Sequence, residues 1–299
     1  MRQISIENAK LISRSIIRES YRIDDETMVT FSVGPEPLEQ IELERENAKT
    51  CLALGIPALF SYEMVQCGDK IGVIYEHMLA KTLGHQIMEN PDHLERYAAL
   101  YADSLKKKHS IHVAPGKLPF IEDDYRRSLE AMKGLLTEEE IEKCSRLVDA
   151  VPDRDTFLAM GFNPGTALFK DGEIYMNSFN YTSYGNPLFE LADLCESISF
   201  VAAGATSDSF VRFLTNMDRP TTARLWDRLL HNYFDFKTEE EYIKIDGFIH
   251  SFAMLKMTMV AVDVPNLHED MKTAALKSCR EKFLPHVDEL TEQVRNINL

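Results

Sequence analysis

MGFNPGTALFKDGEIYMNSFNYTSYGNP, residues 160 to 187, reads as a loop, a short strand, a tight turn at Asp171-Gly172, a second strand, and a polar run beginning at Asn177. Asp-Gly between the apolar runs ALF (167–169) and EIYMN (173–177) is a strong hairpin signal, because both central residues of such a turn take positive φ. The surroundings of this hairpin set the architecture, since strands dominate the chain before residue 78 and helices dominate it elsewhere.

Upstream, residues 10–23 and 27–33 are β-branched and apolar, with Asp24-Asp25-Glu26 as a polar turn, so the pattern predicts a hairpin of two strands. An amphipathic helix is predicted over 38–54, with Ile41, Ala48, Cys51 and Leu52 on its apolar side and Gly55 and Pro57 beyond its end. Strands over 58–66 and 71–76 follow, giving the order strand, strand, helix, strand, strand. Past Met78 the period becomes helical: 91–109, 121–133, and a helix opened by the Thr137/Glu140 capping box. After the hairpin, Pro187 opens a helix over 188–201. Further stripes run through Phe210 to Met217 and Leu225 to Tyr233, then along a long helix capped by Thr238 and Glu241. Two charged helices broken at Pro285 end the chain. The predicted class is α+β: an N-terminal lobe of residues 1–78, an antiparallel sheet with one helix, and a mainly helical lobe of residues 79–299 with a β-hairpin near 167–177.

The 299 residues suffice for one large domain or two lobes, and 33 basic against 48 acidic residues give a net charge of -15. That balance disfavours nucleic acid and an anionic membrane as partners, leaving a protein or a small molecule, with a mild bias toward cations. No signal-like N-terminus and no apolar run of about 20 residues is evident. Five scattered cysteines without a C-x-x-C pair read as reduced thiols, and the expected location is the cytoplasm. His109 and His112 lack further metal ligands in the sequence, and Lys106-Lys107-Lys108 reads as a solvated helix end complementing the helix dipole.

The stretches ERENAKTCLALGIP (44–57), GVIYEHMLAKTL (72–83), GFNPGTALF (161–169) and YGNPLFELA (184–192) carry a resemblance. The chain resembles the aminoglycoside phosphotransferase and choline kinase branch of the protein-kinase-like fold, and within it a bacterial set of small paralogous kinases. The likeness covers residues from about 10 to 200 and implies a bilobal fold with a nucleotide cleft between the lobes.

Carried over residue by residue, the resemblance implies a site whose charged parts are missing. The phosphate-covering loop matches residues 13–19, where Ser13 and Ser15 stand and no glycine does; glycines are what let backbone N–H groups approach phosphates. The strand lysine matches Thr30. Its ion-pair partner matches Glu44, which amid Glu42 and Glu46 also reads as part of a solvated helix face. The connecting strand Tyr75, Glu76, His77 and Met78 either lies near an adenine or is an ordinary buried strand end. The family base matches Gly161, and its two metal ligands match Thr166 and Asn177. Losing the base alone removes a factor of about 10²–10⁴, and losing both ligands removes the main stabiliser of phosphate charge. The expectation is a pseudokinase that needs neither cofactor nor metal, with the aromatic cluster Phe179, Tyr181, Tyr184 and Phe189 plugging the cleft. The alternative is a weakly active, ATP- and magnesium-dependent kinase for a hydroxylated small molecule, with Glu19, Asn163, Asn177 or Asn180 as substitute ligands.

Overall fold

A computed structural model describes residues 1–15, 18–204, 206–263 and 269–297. The stretch expected as one strand over 10–23 forms two. Strand β1 (Arg2–Gln3) is followed by β2 (Lys10–Arg14), β3 (Arg18–Arg22) and β4 (Thr27–Ser32), and β2 folds back antiparallel on β3. Ser15 closes that hairpin, its N–H donating to the Arg18 carbonyl at 2.8 Å and its hydroxyl accepting from the Arg18 N–H at 3.0 Å. One long strand and two short ones share the same alternation, and no glycine marks this turn; Ile16 and Ile17 lie outside the described residues. The loop expected from the resemblance over 13–19 therefore falls on a true strand–turn–strand.

Helix α1 (Leu38–Ala53) comes next, ending at Gly55 with φ 76°, and then β5 (Ser61–Cys67) and β6 (Lys70–Glu76). The sheet order is β1-β5-β6-β4-β3-β2, and it is mixed rather than wholly antiparallel as expected, because β1 runs parallel to β5 while every other pair is antiparallel. Period-2 alternation gives the sheet two different faces. Val29, Phe31, Val65 and Ile74 form a small core beneath Ile4 and Ile6, while Met28, Val73 and Tyr75 face α1 and join the main core.

Strand β7 (Lys81–Thr82) leads into α2 (Leu83–Glu89), a helix the apolar spacing did not announce, which Thr82 caps by accepting from His85 N–H. Then come α3 (Leu94–His109), α4 (Ile121–Ala131) and α5 (Glu138–Asp149), the last with the expected Thr137/Glu140 capping box in place. Strand β8 (Thr156–Leu158) precedes the hairpin of β9 (Leu168–Lys170) and β10 (Glu173–Tyr175). Asp171 and Gly172 turn that hairpin with φ of 52° and 86°. β7 extends it to three strands, and β11 (Ser183–Gly185) pairs with β8.

The helix expected over 188–201 is α6 (Pro187–Leu194), a wide π turn at Cys195–Phe200, and α7 (Val201–Ala203). Helices α8 (Asp208–Thr215), α9 (Arg219–Tyr233), α10 (Glu239–Asp263), α11 (Glu269–Ser278) and α12 (Val287–Val294) complete the described chain. Among the described residues α10 alone is long and apolar enough by composition to cross a membrane, although charged residues interrupt its apolar run. Its buried Phe248, Ile249, Phe252, Leu255 and Met259 belong to the same apolar core as α6 and α9.

Two glycines test how tightly α8 is seated. A Cβ on Gly84 would lie 1.9 Å from the Thr215 carbonyl oxygen, which is backbone and cannot swing away, whereas one on Gly247 in α10 meets nothing within 4 Å. Gly84→Ala is expected to lower stability by about 1–3 kcal/mol through overpacking, and Gly247→Ala to raise it by ~0.5–1 kcal/mol, both read from urea unfolding.

Candidate functional site

The loop from Ala159 to Thr166 is held almost entirely through its backbone. Asp193 of α6 accepts from Gly161 N–H at 2.7 Å, and Glu190, one turn earlier, accepts from Ala159 N–H at 2.9 Å. Tyr101 of α3 donates to the Phe162 carbonyl, and the Asn163 side-chain oxygen accepts from Gly165 N–H at 2.9 Å. Asn216, just past α8, donates to the Gly165 carbonyl at 3.2 Å and to Thr82 Oγ1 at 2.9 Å. Gly165 packs so closely that a Cβ there would sit 2.0 Å from the Leu214 carbonyl oxygen. Gly161, at φ 64°, is different: around its missing Cβ lies only Tyr181 Cδ2, at 4.0 Å. The loop keeps its shape and offers no side-chain base.

The residues at the family's metal positions do not fit a magnesium–nucleotide. The Thr166 hydroxyl donates to the carbonyls of Gly161 and Asn163, at 2.9 and 3.0 Å. Neither Thr166 nor Asn177 brings charge. Among the described residues no three or more His, Cys, Asp or Glu side chains are arranged to hold a metal ion.

On the opposite wall, Thr30 faces α1 with its hydroxyl paired to Ser20 at 2.9 Å. A cation reaches Glu44 from the neighbouring strand. Arg18 of β3 pairs with Glu44 at 2.6 Å and Glu36 at 2.9 Å, and it also donates to Ser32 at 2.6 Å. Glu44 is only 5% exposed, so its reading as a solvated helix face is wrong; i, i+2 acidic spacing says nothing about which side of α1 meets the sheet. Tyr75 donates to its other oxygen at 3.2 Å. Burial raises the Glu44 carboxyl above its ordinary value, with Arg18 opposing. Burial also works against the Arg18 charge, but Glu44 and Glu36 outweigh it and leave the guanidinium raised. Between these groups remains a cavity of about 10 Å³, lined by Arg18, Thr30, Glu36, Glu44 and Tyr75 among others, which is room for about one water.

The connecting strand is equally committed. Glu76 N–H donates to the Phe60 carbonyl at 2.8 Å, His77 N–H to the Glu26 carbonyl at 2.7 Å, and the Met78 carbonyl accepts from Ala80 at 2.9 Å. Tyr75 is buried and stacks on Phe179, ring centroids 5.9 Å apart and planes 22° from parallel. Of the four aromatic residues expected in the cleft, Phe179 is buried against Tyr75 and Tyr181, half exposed, lies over Gly161. Tyr184 packs on Phe120 instead, and Phe189 on Tyr125 and Phe252 in the helical core.

The substitute ligands are largely spent. Glu19 pairs with Lys70 at 2.6 Å, and Asn163 serves its own loop. Ser13 lies on the exposed strand β2, and Ser15 closes the hairpin turn. Two residues expected at a solvated helix end are buried. His109 bridges Glu190 at 3.0 Å and the Tyr233 hydroxyl at 2.6 Å. Lys108 sits 4.0 Å from the Phe162 ring centroid, its ammonium bonded to Ser104 Oγ at 2.5 Å. The last turn of α3 is wrapped by the loop and α9, and nothing in a KKKH run signals that. All five cysteines are free, and burial drives the Cys195 thiol well up, which suits a core residue.

No protein-family model and no curated protein matches the chain. Solved structures do. The gentamicin complex of APH(2'')-IIa matches with a TM-score of 0.60 at 11% identity, over 93% of this chain and 92% of that one. The ternary complex of the same protein with streptomycin and ATP gives 0.57 at 12% identity, over 93% and 92%. ADP-bound aminoglycoside phosphotransferase APH(2'')-Ib gives 0.57 at 12%, over 93% of both chains. The chain has the fold of the aminoglycoside phosphotransferases, with a sheet-rich N-terminal part and a helical C-terminal part, as the sequence predicted.

Removing Arg18 leaves Glu36 and Glu44 facing each other in a confined space. Arg18→Met is expected to cost about 3–5 kcal/mol in urea unfolding, and adding Glu44→Gln to recover part of it. Lys108 gives a pH signature. Burial lowers its ammonium from the ordinary 10.5 to about 8, so between those values the unfolded chain binds more protons than the folded one and stability rises with pH. Lys108→Met is expected to be more stable than the parent at pH 7, with the difference shrinking as pH climbs from 8 to 10.5. Paired denaturation curves across that window are the check.

Proposed function

We propose that this protein is a pseudokinase, an aminoglycoside-phosphotransferase-like chain that works as a binding or regulatory partner and does not transfer phosphate. The observation that carries the proposal is the Arg18, Glu36 and Glu44 cluster around a cavity of about 10 Å³. A nucleotide's phosphates would meet two carboxylates and a guanidinium already shared between them, so the nearby cation cannot serve without uncovering buried negative charge. Gly161 provides no base, and the committed groups of Glu76, His77 and Met78 deny an adenine part of its usual backbone recognition. The division into lobes at 1–78 and 79–299 belongs to the same proposal, as does a cytoplasmic setting, which five free thiols support. The partner is a protein or a small molecule rather than nucleic acid or a membrane, in keeping with the net charge of -15.

One observation favours the weakly active ATP- and magnesium-dependent alternative: the Asn180 side-chain oxygen is buried without a partner among the described residues, near the cleft. Melting curves with ATP, ADP or GTP at millimolar concentration, each with magnesium and with manganese, separate the two. The expected result is no shift with any of them. Nucleotide at 100 times its dissociation constant would stabilise the fold by ~2.7 kcal/mol, and that shift, together with turnover of the nucleotide, would overturn the pseudokinase.

A further inference from the structure

The segment from Met176 to Thr182 leaves the hairpin and crosses to β11, and on the way it is tied to the N-terminal part by three kinds of contact. At its start, Met176 bridges Ala58 in parallel, with Leu59 N–H donating to the Met176 carbonyl at 3.0 Å and Met176 N–H to the Pro57 carbonyl at 2.9 Å. In its middle, Phe179, with no exposed surface, stacks on Tyr75. At both Phe179 and Thr182, carbonyls accept from one side chain, the carboxamide of Asn47, at 3.0 and 3.5 Å. Asn47 is 2% exposed and lies on α1 one turn beyond Glu44. The far end is fixed to the helical part, where Ser183 to Gly185 pair with β8.

We infer that residues 176–182 form a strap latched to α1 by Asn47, and that this latch, rather than a bound nucleotide, keeps the two parts of the molecule closed on each other. The inference is independent of the missing catalysis, because it rests on what joins the parts and not on what they could process. An apolar ring stack alone tolerates sliding, whereas a carboxamide donating to two carbonyls three residues apart fixes both the height and the rotation of the strap. Opening would separate the Met176–Leu59 bridge and bare the Tyr75 and Phe179 rings together, so the cleft behaves as one cooperative unit below global unfolding.

Hydrogen exchange on the full chain tests this. In the unaltered protein the amides of Leu59 and Met176 are expected to exchange together, through an opening that responds to low urea before the amides of α6 and α9 do. In Asn47→Ala they are expected to exchange about tenfold faster, the weight of one buried hydrogen bond, with α6 and α9 unchanged. Asn47→Asp, which keeps the volume but sets an acceptor against two carbonyls, is expected to exceed that. Exchange of Leu59 and Met176 only through global unfolding in the unaltered protein would overturn the latch even if neither variant folds. So would an Asn47→Ala profile raised equally everywhere, or one unchanged at those two amides. Nucleotide melting curves are unaffected by this outcome, so the latch and the pseudokinase stand or fall separately.

Discussion

The guanidinium of Arg18 lies between Glu36 and Glu44 in a space with room for about one water. Neither carboxylate can be buried alone, because an unpaired ion there costs several kcal/mol. The constraint reaches outward in three directions. It fixes α1 against the sheet through Glu44, sets the register of β3 on β4 through the cross-strand Arg18 and Ser32 contact, and brings Tyr75 into line for its stack on Phe179. A single planar fork with several donors can satisfy all of these at once, which a lysine in its place could not.

The opposite wall is held in a different way. Asp193, Glu190, Tyr101 and Asn216 bind backbone groups of the 159–166 loop, and backbone groups are the same whichever side chain they carry. The bonds that shape the loop therefore do not depend on the side chain at position 161. Gly161 and Gly165 are held to glycine for different reasons: Gly161 takes a φ of 64° that L side chains rarely adopt, and the Leu214 carbonyl occupies the place of a Cβ at Gly165.

Much of the architecture was legible in the sequence because it rests on local chemistry. Asp171-Gly172 takes two positive φ values, Thr137 and Glu140 cap a helix, Gly55 ends α1, and each depends on a few neighbouring residues. The misreadings share a cause as well. The hairpin at Ser15 has no glycine to mark it, α2 is too short for periodicity to show, and Lys108 and His109 look solvated until α9 and the loop close over them. The spacing did not separate Phe179, which stacks on Tyr75, from Tyr184 and Phe189, equally aromatic and close in sequence, which point to other partners.

Alone, the sequence determined the class of the fold, with strands early and helices late, and local features such as the Asp171-Gly172 turn and the Thr137/Glu140 cap. These follow from residue identity and short-range spacing. Only the tertiary structure decided which cation meets Glu44 and which ring packs on Tyr75. Arg18 and Glu44 are 26 residues apart, and Asn47 and Phe179 132. Pairings at such separations are set by how α1, the sheet and the strap pack together, and no local pattern in the chain encodes them.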